Sequence, residues 1–232
     1  MSTVRYEQQG DIAIVTLDDG KANALSYALM DEAEQALARA QQEAAAVVLA
    51  GRAGRFSAGF DLKEMMSGVD KARALVGRGA GFLLGLYALP MPLVVACSGH
   101  ALAGGALTVL TGDVRVGVDG PFKIGLNEVQ IGMPIPILAM ELARDRLKSA
   151  YLTRATLFAQ TAEPKEAVEW GYLDELAAPD ALLSTAIARA KALAALSRDA
   201  YAKSKMAMRE RTIRYVKETL DDDMRRLTPP VT

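Results

Sequence analysis

The chemistry of this chain is concentrated in residues 98–128, SGHALAGGALTVLTGDVRVGVDGPFKIGLNE. An apolar run, Leu93-Val94-Val95-Ala96-Cys97, leads into the small-residue turn Ala103-Gly104-Gly105, and an apolar segment, residues 106–110, follows at once. That order reads as strand, glycine turn and helix, because glycine permits the close approach and open dihedrals needed where a chain swings from sheet to helix. A helix starting there leaves its first N–H groups unpaired at the positive end of its dipole. Such an end can hold a phosphate, a carboxylate, or an oxyanion that exists only during a reaction. The same glycines would also serve simply to pack the helix on its strand, and the motif alone favours that structural use.

The elements that must position this turn follow from the hydrophobic pattern. Residues 4–8 and 12–17, split by Gly10-Asp11, predict a strand hairpin. Ser26 is a good N-cap for a helix to about Gln42, with Leu29, Met30, Ala33, Ala36, Leu37 and Ala40 at helical spacing. Residues 46–50, wholly apolar, suit a parallel strand covered on both faces. Residues 51–59, GRAGRFSAG, read as a loop, and residues 61–66 as one or two helical turns. A longer helix is expected over residues 70–89, stopped by Pro90 and Pro92. Its GRGAGF stretch has glycines spaced as in a nucleotide fingerprint, but no strand precedes it. Residues 114–118 and 122–124 read as strands, and Pro134 and Pro136 bracket a turn before a helix over 137–147. From Lys148 onward no segment reads as a strand; helices are expected over 149–158, 163–170, 180–196 and 197–227. The last spreads Tyr201, Met206, Met208, Ile213, Tyr215, Val216 and Leu220 over more than one stripe, which predicts contact with another subunit. The expected division is therefore a body of residues 1–196 and a helical tail of residues 197–232 in oligomer contacts.

Composition narrows the function classes. Of 232 residues, 51% are hydrophobic and 24% charged, enough for a full core. The net charge of −1 gives no basic excess for nucleic acid. One cysteine precludes an internal disulfide, and with one histidine it argues against a His/Cys metal site. Charged residues interrupt every apolar run before it reaches membrane-spanning length. The first residues, MSTVRYEQQGD, have neither a signal-peptide core nor an Arg-rich transit pattern, so a soluble cytoplasmic protein is expected.

Two stretches together resemble the signatures of the crotonase (enoyl-CoA hydratase/isomerase) superfamily. Arg55-Phe56-Ser57-Ala58-Gly59-Phe60-Asp61-Leu62-Lys63-Glu64-Met65 resembles the first, and Gly99-His100-Ala101-Leu102-Ala103-Gly104-Gly105-Ala106 through Asp113 resembles the second. Ala22-Asn23-Ala24-Leu25 and the EAVEWGYLD stretch also fit, so the likeness runs from about residue 4 to residue 200. The resemblance implies an α/β fold with a ββα spiral core (ClpP/crotonase-like) and a C-terminal helical region. It implies acyl-CoA thioester substrates, no metal or redox cofactor (CoA being part of the substrate), and a homotrimer or dimer of trimers. It also implies that the backbone amides of Phe60 and Gly104 polarise the thioester carbonyl. Ala22, Ala24, Ala58 and Phe60 would lie along the CoA path, together with Asp61, which suits a cap for the short helix better than a substrate contact.

Hydratases of that superfamily carry two glutamates; here the first position falls on Leu107 and the second on Glu128. Leucine can neither orient water nor accept a proton. One carboxylate suffices to move a double bond between the β,γ and α,β positions, and residues 124–132, IGLNEVQIG, are especially similar to mitochondrial-type Δ3-Δ2 enoyl-CoA isomerases. Glu128 is thus expected to be both base and acid, its pKa raised by Leu107, Leu126 and Ile131 if it is buried. Met133, Met140 and Phe82 suit either an acyl pocket or the core. His100, Cys97 and Trp170 are expected to be structural.

Overall fold

The structure is a computed structural model describing residues 2–229. The chain begins with β1 (Val4–Gln9), β2 (Ile12–Leu17), α1 (Tyr27–Glu43), β3 (Ala46–Gly51), β4 (Gly54–Ser57), α2 (Leu62–Met65) and α3 (Val69–Tyr87). It continues through β5 (Leu93–Cys97), β6 (Gly99–Leu102), α4 (Gly104–Thr111), β7 (Val114–Val118), β8 (Ile124–Gly125) and α5 (Ile137–Arg146). The last elements are α6 (Ser149–Ala155), α7 (Pro164–Trp170), β9 (Glu175–Ala177), α8 (Leu182–Ala194) and α9 (Arg198–Arg226).

Three successive ββα units build the body. The first strand of each, β3, β5 and β7, enters a six-stranded sheet of order β1-β2-β3-β5-β7-β9. The second strand of each, β4, β6 and β8, enters a separate parallel sheet of three. The chain therefore winds as the spiral expected from its sequence.

The apolar runs of β3 and β5 are two-faced, as their composition requires. Val47, Leu49, Leu93, Val95 and Cys97 join the main core with α1, α3 and α4, whereas Ala46, Val48, Val94 and Ala96 meet Leu182, Ala186 and Ala190 of α8. Trp170 is buried in the main core, and burial pushes the Cys97 thiol up to about 12, leaving it unreactive as expected.

Four expectations need correction. The segment 51–59 is not all loop: β4 lies inside it and pairs with β6. The strand entering the glycine turn is β6 in the small sheet, not Leu93–Cys97, which lies in the large one. The strand near Phe122 covers only Ile124–Gly125. Beyond Lys148 there is a strand after all, because β9 extends the large sheet parallel to β7, with Val116 opposite Glu175.

The tail helix α9 packs along α3 and α5 of its own chain. Lys205, Arg209, Thr212, Ile213 and Val216 are buried there, while Met206, Met208 and Tyr215 remain exposed. Residues 230–232 of the expected tail lie outside the described residues.

Candidate functional site

The three-stranded sheet is the device that gathers the site. Its strands are parallel, in the order β4-β6-β8, with Ser57 opposite Ala101 and Leu102 opposite Gly125. Just past the C-terminal ends of these strands stand Phe60, Gly104 and Glu128 in turn. Residues far apart in sequence are brought to one edge by the usual location of sites in parallel sheets, the carboxyl ends of the strands.

The turn into α4 is strained. Ala103 adopts φ 47° and ψ −122°, a conformation that L-residues other than glycine rarely take, at a cost of about 1–3 kcal/mol. Its N–H donates to the Gly125 carbonyl at 3.0 Å, and its carbonyl accepts the N–H of Leu107 at 3.0 Å. These bonds hold the turn so that the N–H of Gly104 leads the helix without an intrahelical acceptor.

Phe60 reaches the same place from the other side. The segment Ala22-Asn23-Ala24-Leu25 runs beside Ala58 to Asp61: Ala58 N–H donates to Ala22 at 3.0 Å, Leu25 N–H to Gly59 at 2.8 Å, and Asp61 N–H to Leu25 at 3.4 Å. With the Gly59 N–H donating to Ser57 Oγ at 3.2 Å, the amides on either side of Phe60 are taken and its own is skipped. Among the described residues neither the Phe60 nor the Gly104 N–H has a hydrogen-bond acceptor. A Cβ on Gly59 would stand 3.2 Å from the Gly104 nitrogen, so the two loops touch at this point. Two free amides on adjoining loops can donate to one oxygen.

The Phe60 ring lies over Gly104 and against α3, where a Cβ on Gly79 would come 2.5 Å from its Cζ atom. Asp61 accepts the N–H of Lys63 at 2.9 Å and of Glu64 at 3.4 Å; it caps α2. Ala22 and Ala24 are half-buried and Ala58 is exposed, which leaves the Ala22–Ala58 seam open to a ligand.

Glu128 follows β8 at the start of a 3-10 turn, Val129–Ile131. Its backbone carbonyl accepts the N–H groups of Ile131 at 3.1 Å and Met133 at 2.9 Å, which fixes the residue. The side chain is only 2% exposed, and its Oε2 has no hydrogen-bond partner. Burial lifts its pKa from 4.5 to about 7, opposed only by a hydrogen bond from its own backbone N–H. Such a group can accept a proton and give it back near neutrality.

Of the other expected residues, Leu107 does line the cavity beside Phe60. Leu126, Met133 and Phe82 are buried in the core and do not line that cavity, nor does the half-buried Met140. His100 is structural: its Nδ1 accepts the Lys123 N–H at 3.1 Å and its ring meets Phe122 edge-on. Among the described residues no group of three His, Cys, Asp or Glu side chains could hold a metal ion, and no helix is long and apolar enough to cross a membrane.

Two supporting residues were not singled out from the sequence. Asn23, fully buried with φ 51°, donates from Nδ2 to the carbonyls of Leu17 at 2.9 Å and Phe56 at 3.1 Å and accepts the Asp19 N–H at 2.9 Å. It ties the 19–25 loop to β4; the signal is an Asn where the chain needs a left-handed residue. Tyr172, also fully buried, accepts the Leu126 N–H on its hydroxyl at 3.3 Å, steadying the segment before Glu128.

The comparisons with known proteins agree with this geometry. The family model described as enoyl-CoA hydratase/isomerase matches residues 7–230. Human mitochondrial enoyl-CoA delta isomerase 1 is 29% identical over 206 residues, 87% of this chain and 68% of that protein. A probable enoyl-CoA hydratase of Rhizobium meliloti is 29% identical over 209 residues, 89% of this chain and 80% of that protein. Among solved structures, an enoyl-CoA hydratase/isomerase family protein from Pseudomonas syringae superposes with a TM-score of 0.95 at 36% identity, covering 97% of this chain and 98% of its own. Relatives bearing the isomerase and the hydratase names are equally similar, so the comparisons speak for the family and not for one of its reactions. With the ββα spiral, the glycine-led helix and a match over nearly its whole length, this chain belongs to the enoyl-CoA hydratase/isomerase family, the crotonase superfamily.

Proposed function

We propose that this enzyme moves a double bond in unsaturated fatty acyl-CoA, converting 3-enoyl-CoA to 2-enoyl-CoA. The observation that carries the reading is a buried glutamate whose expected partner position holds a leucine. Glu128 is buried with a free oxygen, and the place where hydratases of the superfamily carry a partner glutamate holds Leu107, an apolar wall.

In this mechanism the thioester oxygen accepts hydrogen bonds from the Phe60 and Gly104 amides. Ionised Glu128 takes a proton from C2; the electron pair it leaves enters the C1–C2 bond, and the thioester oxygen takes the charge. That charge meets two amides already oriented toward it; losing one such donor typically costs about 2.7–4 kcal/mol of barrier. Glu128 then returns the proton to C4, the C3–C4 double bond moves to C2–C3, and the carbonyl reforms. One proton leaves and one returns, so the reaction is redox-neutral and calls for no electron carrier. With Leu107 where the partner glutamate would stand, no carboxylate at that position orients water, and hydration of the product is slow. A homotrimer or dimer of trimers belongs to the same proposal.

Product analysis tests it. With a 3-enoyl-CoA the expected main product is the conjugated 2-enoyl-CoA, with 3-hydroxyacyl-CoA appearing far more slowly. Hydration at an equal or greater rate would favour the hydratase.

A further inference from the structure

Beside Phe60 lies a largely apolar cavity walled by Val76 and Ala80 of α3, Leu107 of α4, Leu138 of α5, and Leu220 and Met224 of α9, with Asp223 of α9 as its one carboxylate. Its free space is about 10 Å³, room for about one water molecule. The wall formed by α9 is fastened at its far end. Arg73 of α3 donates to the Leu227 carbonyl at 3.2 Å and to the Arg225 carbonyl at 2.7 Å, capping the helix C-terminus. In the other direction, Asp223 of α9 accepts the N–H of Ile137 at 2.7 Å, capping α5 where Pro136 supplies no side-chain cap. Met224 lies against the α3 backbone, its Cγ 3.5 Å from where a Cβ on Gly77 would sit, and Leu227 is buried beyond it.

We infer that Leu220 and Met224 set the acyl chain length, and that the protein takes short-chain acyl-CoA thioesters. The inference rests on the acyl-CoA reading above and deepens it. An acyl chain leaving a thioester held between Phe60 and Gly104 would enter this cavity, whose small free space is closed on one side by α9. A long chain fits only if the last turns of α9 leave, which breaks the three bonds of Arg73 and Asp223 and exposes Leu227. A short chain needs only side-chain adjustment.

The test is calorimetric titration of the full-length protein with CoA, butanoyl-CoA and dodecanoyl-CoA. It compares wild type, Met224→Ala and Leu220→Ala, each first checked for a cooperative thermal transition. Wild type is expected to bind butanoyl-CoA more tightly than dodecanoyl-CoA. Each variant should shift that ratio toward dodecanoyl-CoA by roughly tenfold or more, the scale one methylene carries in an apolar pocket. Dodecanoyl-CoA binding as tightly as butanoyl-CoA in the wild type, or a ratio unmoved in both variants, would overturn the inference. Saturated thioesters bind without turnover, so the expected pattern in a protein that isomerises nothing would sink the proposed reaction and leave this inference standing. Neither thioester binding better than CoA would sink both.

Discussion

Gly105 and Ser57 meet backbone to backbone: a Cβ on Gly105 would stand 2.8 Å from the Ser57 carbonyl carbon and 3.0 Å from its Cβ. This contact seats the start of α4 against the end of β4 and so sets how closely the Gly104 and Phe60 amides approach. Because the clash would be with backbone, the Gly105→Ala variant has to move one of the two loops. Overpacking of this kind costs about 1–3 kcal/mol of stability. If the shift withdraws one amide, catalysis should fall by about two to three orders of magnitude. Thermal unfolding and steady-state kinetics on the one variant check both.

Glu128 should make the protein's stability depend on pH in an unusual direction. The group titrates near 4.5 in the unfolded chain and near about 7 in the folded one, so folding favours its protonated form. Its contribution is fully present below pH 4.5 and is lost as pH rises through about 7. Above that, burying the charge costs on the order of 3 kcal/mol. Glu128→Gln is therefore expected to be more thermostable than wild type at pH 8, with the difference vanishing toward pH 4.5. Paired melting curves measure it, and a variant less stable than wild type at pH 8 contradicts it.

Asp113, at the end of α4, anchors α9 to the body. Its carboxylate accepts Lys205 Nζ at 2.7 Å, Arg209 Nη2 at 2.8 Å and the Leu93 N–H at 2.8 Å, and both cations are buried. Burial, opposed by Asp113, holds Lys205 down to about 8. Removing the carboxylate in Asp113→Ala would strand two buried cations, which typically costs about 3–5 kcal/mol. The expected drop in Tm is on the order of 10 °C; an unchanged Tm would mean that the cluster holds nothing together.

What the sequence revealed depended on how local the determining signal was. The Ser26 cap, the apolar faces of β3 and β5 and the Asp61 cap are set by neighbours in the chain, and all were legible. The strand β4 was not, because four residues among glycines carry no periodicity until β6 lies beside them. The strand β9 is likewise made by tertiary partners: Asp174 is bound by Arg115 of β7 and Glu175 by Arg189 of α8. The burial of Lys205 and Arg209 has no local signal, since the aspartate that draws them inward is some ninety residues away. Phe60, Gly104 and Glu128 could be singled out from motifs, but that each follows the end of a strand of the same second sheet could not be derived from local pattern.

The central claim is that Glu128 alone shuttles the proton. The measurement that tests it most directly follows the ultraviolet absorbance of the conjugated thioester as 3-enoyl-CoA is converted by wild type and by Glu128→Gln, with acyl-CoA binding measured on both. Turnover by the wild type is expected to rise with pH through about 7 as Glu128 ionises, with no detectable turnover by a variant that still binds acyl-CoA. A Glu128→Gln protein that keeps the wild-type rate would contradict it.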